Sequence, residues 1–409
     1  MRRLAFSSQS NIYVKEIIEM YSKPSLTIHE MLVTRHPSPN PALYYEDNAL
    51  EMKMKMLSYG QLDELSSRCA TLLASIGIVK GSKIGVMLPK GPHIMIVALA
   101  AWRLGAVYIP MFTAFGPDAI AVRLKDAGAN VVITDDINRP KFDNLVNELD
   151  LQMVTVSRDK SSLIHGDTPL TMDSLLHTKP SGTPPADITP DDIIILLYTS
   201  GTTGLPKAVP IPAFALASFH TYMQMGLGLS SGDIDSSVPS SPLPPCSTPL
   251  DHTSSRYQRY LSTADPAWAY GLYYNLVGPL LVGIPPTYLA GPFSASHVVR
   301  ALQKHRITHY ASSPSAYRSI RAEDMSGKLG VSHEDWRDIS KTIQCTSSAG
   351  EPLPAEIIQW WQGRMEGKVI ADHYGQSEAG MMINWHWVDS PTCRTVGKIY
   401  IILPYACRV

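Results

Sequence analysis

The chain has 409 residues, 44% of them hydrophobic and 17% charged, a globular composition too apolar for a disordered chain and long enough for more than one lobe. Lysine plus arginine (35) offsets aspartate plus glutamate (36) with no basic block, which excludes nucleic acid as a partner met by bulk charge; an anionic ligand must be met locally. Five scattered cysteines, Cys69, Cys246, Cys345, Cys393 and Cys407, form no C-x-x-C pair, which argues against a zinc or disulfide framework and for a reducing, cytoplasmic setting.

The start of the chain, "MRRLAFSSQSNIYVK", is basic with no acid before Glu16, so residues 1–25 read as a leader, with a mitochondrial presequence the alternative to a cytoplasmic address. From Lys83 the pattern alternates. "KIGVML" predicts a strand, "HIMIVALAAWRLG" a helix stopped by glycine, and "AVYIPM" a strand. "DAIAVRLKDAGA" then predicts a second glycine-stopped helix and "NVVITD" a buried strand. The apolar run from His93 to Phe112 is broken by Arg103, Gly105 and Pro110, so it does not predict a membrane span.

The same alternation returns with the strand "DIIILLY", the helix "ASHVVRALQKH", the strands "ITHYAS" and "KTIQCTS", the helix "PAEIIQWWQGRM" and the strand "KVIADH". Repeated strand, helix, strand implies an α/β fold, a mostly parallel sheet with helices on both faces. Two stretches depart from it. Ser236 to Pro249 contains ten Ser or Pro in fourteen residues and reads as an inserted loop near 233–256. The last twelve residues, 398–409, form an apolar tail with no capped element, an aggregation liability if left uncovered.

"LLYTSGTTGLPKAVP", Leu196 to Pro210, packs Ser, Thr and Gly between an apolar strand and Lys207. Backbone N–H groups of such a turn converge on one point, hydroxyls add donors, and the lysine adds charge, a suitable cradle for phosphate oxygens. The blander alternative is a surface turn with a solvated lysine. The Walker spacing fails because Pro206 precedes the lysine, and the Rossmann spacing fails because "GLGLSSG" has one residue too many and no strand before it.

"YTSGTTGLPKAV" resembles the signature phosphate loop of the adenylate-forming (AMP-binding) superfamily, which includes acyl-CoA synthetases, adenylation domains and luciferases. "STADPAWAYGLYYNLVGPLLVG", "SSAGEPLPAE" and "DHYGQSEAG" resemble further acyl-CoA synthetase segments in the family's order, and the likeness runs from about Leu26 to Gly397. It implies an α/β large domain over 26–397, made of mostly parallel sheets covered by helices plus a smaller β-rich part, with the family's C-terminal lid domain missing. It also implies a two-step reaction using ATP, Mg2+ and coenzyme A, in which a carboxylic acid becomes an acyl-adenylate and then a thioester.

Residue by residue, the resemblance places Thr199, Ser200, Gly201, Thr202, Thr203, Gly204 and Lys207 around the outer phosphates of ATP, with Thr199 and Lys207 as catalytic groups. Glu378 matches the catalytic glutamate that holds Mg2+, a hard oxygen ligand for a hard ion. Tyr374 matches the aromatic that stacks on adenine, with Gly350, Glu351 and Pro352 on the other side. Asp372, His373, Gly375, Gln376 and Ser377 complete the nucleotide-binding stretch. Trp268 matches a wall of the acid pocket, with Gly271 and Gly375 beside it. Acetate-selective relatives carry tryptophan where this chain has Gly375, so the resemblance implies a medium-chain or aromatic acid.

A rival chemistry shares some of these letters. "GQSEAG" is close to the G-x-S-x-G elbow of serine hydrolases, with Ser377 as nucleophile, and fails only where Ala379 replaces glycine. A lid-less pseudo-enzyme that binds nucleotide without turnover is the other alternative. Nothing in the sequence settles an oligomeric state.

Overall fold

The computed structural model describes residues 8–23, 27–157, 165–182, 184–200, 204–229, 258–385 and 399–401. Their strands are, in chain order, β1 (Pro41–Glu46), β2 (Met54–Ser58), β3 (Lys83–Met87), β4 (Val107–Pro110), β5 (Val131–Asp135), β6 (Gln152–Val156), β7 (Thr168–Leu170) and β8 (Ile193–Ser200). They continue as β9 (Pro206–Pro212), β10 (Tyr260–Ser262), β11 (Pro286–Tyr288), β12 (His309–Ser312), β13 (Cys345–Ala349), β14 (Ala371–Gln376), β15 (Gly380–Trp385) and β16 (Ile399–Ile401). Seven form one sheet, in the order β7-β6-β5-β3-β4-β8-β9, and nine the other, in the order β16-β15-β14-β13-β12-β10-β11-β1-β2. The pairing is parallel except at β8/β9, β1/β2 and the β14-β15-β16 run, which supplies an antiparallel edge.

Alternation along the strands divides the apolar side chains between two faces. In the smaller sheet Ile84, Val86, Tyr108, Ile195 and Leu197 face a core shared with the larger sheet, while Met87, Ile109 and Tyr198 face an outer core under helix Pro117–Ala127. In the larger sheet Tyr260, Tyr288 and Ala311 face the shared core, whereas Leu261 and Tyr310 face helices Ala295–Lys304, Pro314–Met325, His333–Thr342 and Ala355–Arg364. Between the sheets lie helices Tyr59–Ser75, Pro92–Arg103 and Leu216–Met225. Helix Pro92–Arg103 is buried on every side from Ile94 to Arg103, which is why its sequence is apolar all round instead of striped.

Local signals set the element ends. Ser58 and Gln61 form a capping box at one helix start, Ser332 and Asp335 another, and Gly128 closes helix Pro117–Ala127 in a left-handed turn at φ +63°. Two expected strands are displaced. Lys341 and Thr342, expected in a strand, complete the capped helix His333–Thr342, so β13 begins only at Cys345. The strand expected over "KVIADH" begins at Ala371 and continues through Tyr374, Gly375 and Gln376. The Ser/Pro insertion lies outside the described residues. Within the tail, read as carrying no capped element, Ile399–Ile401 forms a short strand antiparallel to β15, joining Ile383 to Ile401 and Trp385 to Ile399.

Candidate functional site

In an open parallel sheet, ligands bind beyond the carboxyl ends of strands at the point where successive connections leave for opposite faces. Each sheet has such a point. The connection after β3 forms the inner helix Pro92–Arg103, and the connection after β4 forms the outer helix Pro117–Ala127. In the larger sheet the connection after β10 runs inward through Leu272–Val277, and that after β11 runs outward through Ala295–Lys304. The two points face each other. Lys90, three residues past β3, donates from Nζ to the Thr263 carbonyl just past β10 at 3.3 Å. Phe112 and Phe115, past β4, meet Trp268 with ring centroids 5.7 and 6.0 Å apart. The carboxyl edges of both sheets thus meet at a junction lined by aromatics, the place where a ligand crevice is expected.

The strands flanking the Ser/Thr/Gly run pair as a β-hairpin beside this crevice. β8 adjoins β4 and turns antiparallel into β9, so Thr199 pairs directly with Lys207 and Ser200 with Pro206. Thr199 is half-buried, and Lys207 is exposed with no ion-pair partner among the described residues. Gly204 lies in the turn; Gly201, Thr202 and Thr203 lie outside the described residues. The residue before Thr199 ties the hairpin to the crevice wall. Tyr198 Oη donates to Asp126 Oδ2 at 2.7 Å, and the Arg123 guanidinium sits 4.1 Å from the Phe115 ring centre and 5.9 Å from that of Tyr198. Burial, with Asp126 beside it, pushes the Tyr198 phenol well up, so the phenol stays a neutral donor.

The motif "DHYGQ" occupies β14, and strand alternation sorts it. Tyr374 is 50% exposed, an aromatic face open to a planar partner, and its Oη accepts a hydrogen bond from Gln376 Nε2 at 2.8 Å. Asp372 shares its face; burial raises its carboxyl above the usual range, and its buried Oδ1 has no partner. The His373 side chain lies on the opposite face. It is buried in the inter-sheet core, its Nδ1 2.6 Å from Tyr222 Oη, and burial lowers it to about 3. Grouping its imidazole with the nucleotide contacts is therefore corrected: alternation turns it away from Asp372 and Tyr374.

Gly350, Glu351 and Pro352 follow the carboxyl end of β13, the strand beside β14. The Glu351 carboxylate is already engaged: Arg318 donates to Oε2 at 2.8 Å and the Ser315 N–H to Oε1 at 2.9 Å. The Arg318 bond holds the Glu351 carboxyl below its ordinary range, so this side chain anchors the loop to the start of helix Pro314–Met325. Glu378 is exposed on the turn joining β14 to β15, which closes through the Ala379 N–H to the Gln376 carbonyl at 3.1 Å. No group of three or more His, Cys, Asp or Glu capable of holding a metal occurs among the described residues. A single free carboxylate fits Mg2+ that arrives with phosphates and water, its common ligand set.

Trp268 is 44% exposed and packs against Phe112 and Phe115. The two glycines assigned to the acid pocket are explained differently. A Cβ at Gly271 would collide with the Asp265 carbonyl. A Cβ at Gly375 would lie 2.5 Å from the Gly380 carbonyl oxygen and 2.9 Å from Met381 Cα, at a register shift in the β14/β15 pair. The volume expected from the missing side chain at Gly375 is thus filled by β15. The hydrolase elbow is also excluded here: it needs strand, turn, helix, and Ser377 lies between two strands.

Nothing in the local sequence singles out Phe112, Phe115, Arg123 or Lys90. Their signal is positional, because Phe112, Phe115 and Lys90 directly follow strands whose connections diverge. A cavity of about 410 Å³ lined by His29, Glu30, Arg35, Asp63 and Arg103 lies elsewhere, and there Asp63 is already paired with both Arg103 and His29.

A model of the AMP-binding enzyme family matches residues 32–407. Acetyl-coenzyme A synthetase 2 of Candida glabrata is 28% identical over 369 residues, covering 85% of this chain and 49% of that protein. Acetyl-coenzyme A synthetase of Rhodobacter capsulatus is 26% identical over 362 residues, covering 83% and 50%. The crystal structure of Brucella canis acyl-CoA synthetase superposes with a TM-score of 0.79 at 29% identity, over 96% of this chain and 65% of that one. The chain spans about half the length of the curated relatives it matches.

Proposed function

Because the chain belongs to the AMP-binding enzyme family, we propose that it carries the nucleotide and acid sites of an acyl-CoA synthetase-type ligase. In the proposed reaction a carboxylate oxygen attacks the α-phosphate of ATP, forming acyl-adenylate and releasing pyrophosphate; the thiol of coenzyme A then displaces AMP. The observation that carries this reading is the meeting of two carboxyl-edge crevices with the Thr199–Lys207 hairpin beside them.

The first step brings anion to anion, so catalysis must come from placement and neutralisation of charge. Lys207 supplies a cation to the outer phosphates, and the Thr199 hydroxyl opposite it supplies a donor. Tyr374 offers its exposed ring to adenine. Asp372 brings an acceptor with an unmet hydrogen bond to the same strand face. Glu378 is the residue to hold Mg2+, which when bound neutralises phosphate charge. Trp268, with Phe112 and Phe115, gives an apolar wall for the acid.

Two readings of the acid compete. Glycine at 375 in place of the tryptophan of acetate-selective relatives favours a medium-chain or aromatic acid. Acetate is favoured by the names of the curated relatives and by the β15 backbone that fills the space beside Gly375. ATP–pyrophosphate exchange measured with acetate, hexanoate and benzoate decides both points. Exchange that depends on a carboxylate is the expected result. Greater exchange with acetate than with the other two removes the larger-acid reading, and ATP binding with no exchange for any acid favours the pseudo-enzyme.

A further inference from the structure

The turn that carries Glu378 rests on a π-helical segment, Leu272–Val277, a widened turn of a kind that recurs at functional sites. Two consecutive phenols of that segment end on the turn. Tyr273 Oη donates to the Ser377 carbonyl at 2.9 Å, and Tyr274 Oη accepts the Met381 N–H at 2.9 Å. Glu378 lies between these two anchored positions. Gly380, at φ +69°, approaches so closely that a Cβ there would lie 3.0 Å from Ser218 Oγ and 3.1 Å from Tyr274 Oη. The rings are themselves fixed: Tyr273 stacks on Phe219 at 4.2 Å, and Tyr274 packs on Tyr222 at 4.3 Å. The turn is therefore tied on both sides of the glutamate to the buried layer between the sheets, while the carboxylate itself is left exposed.

We propose that Tyr273 and Tyr274 are positioning residues that fix the Glu378 turn for a divalent cation arriving with the phosphates of ATP, an inference that rests on the function proposed above. A tethered turn presents its carboxylate already ordered, whereas a free one must lose conformational freedom when the ion binds. The same stretch of chain begins at Trp268, so the acid wall and the Glu378 turn share one support.

The test is Mn2+ binding in the presence of ATP, read from loss of the free-ion paramagnetic resonance signal. Tyr273→Phe and the double variant with Tyr274→Phe keep the rings and remove the hydroxyls. The single change should weaken ATP-linked Mn2+ binding about five-fold, and the double change more, with ATP affinity in EDTA unaltered. Asp324→Ala, among the outer helices of the larger sheet, leaves both tyrosines and their ring stacking untouched; it should lower the melting temperature and keep Mn2+ affinity. Unchanged Mn2+ affinity in the hydroxyl variants overturns the inference, as does an equal loss in Asp324→Ala. If the unaltered chain binds ATP but no ATP-linked Mn2+, the inference alone is lost. If it binds no ATP, the proposed function falls and takes the inference with it.

Discussion

Lys207 and Glu351 look alike in the sequence, each a charged residue in a motif loop, and the structure separates them. The Glu351 carboxylate is occupied by Arg318 and the Ser315 N–H, whereas Lys207 has no ion-pair partner among the described residues and stands opposite Thr199 at the crevice. A charged ligand contact contributes about 1.5–3 kcal/mol, so Lys207→Ala should weaken ATP binding roughly 10- to 100-fold in calorimetric titration, with no loss of thermal stability. Equal affinity in the variant would remove Lys207 from the site. The type and spacing of neighbouring residues make Lys207 legible in the sequence. The engagement of Glu351 is not legible there, because Arg318 lies 33 positions away and meets it only through the packing of helix Pro314–Met325 beside β13.

At the scale of elements, periodicity located the buried helix Pro92–Arg103 and strands β3, β4 and β5 to within one or two residues. It misplaced β13 and β14, where polar motifs sit on strands and the apolar alternation is weak. The outer helices of the larger sheet are joined by a device that no local pattern announces. Asp324, with its side chain 4% exposed, accepts from Trp336 Nε1 at 3.0 Å, Trp360 Nε1 at 2.8 Å and Arg364 Nε at 2.8 Å. One carboxylate thus links helices Pro314–Met325, His333–Thr342 and Ala355–Arg364. Asp324→Ala strands a half-buried guanidinium and two indole N–H groups, and should cost on the order of 3 kcal/mol in urea unfolding. A loss below about 1 kcal/mol would mean that the tryptophan packing alone holds the three helices.

For the whole molecule, the consequence of enclosing polar side chains between two sheets appears as pH dependence. Burial lowers His220, His309 and His373 from 6.5 to about 3. Between those values the unfolded chain binds protons that the folded chain refuses, so stability rises with pH there and is lost as pH falls below 6.5. Three such groups give a slope of at most about 4 kcal/mol per pH unit. Glu46 acts in a separate, lower window. Burial alone would raise it, but hydrogen bonds and charge from His305 and His297 leave its carboxyl below the ordinary 4.5, so its contribution is lost only as pH falls through that lower value. Urea midpoints at pH 7 and pH 5.5 should therefore differ clearly; equal midpoints would show that these imidazoles find solvent or partners when charged. The α/β class and the order of most central elements could be read from the amino-acid order, because they depend on local periodicity. Three outcomes could not: that two sheets present their carboxyl edges to each other, that His373 faces away from Tyr374, and that Gly375 leaves no open space. These depend on strand register and on folding together residues more than a hundred positions apart, such as Lys90 with Thr263 and Tyr273 with Ser377.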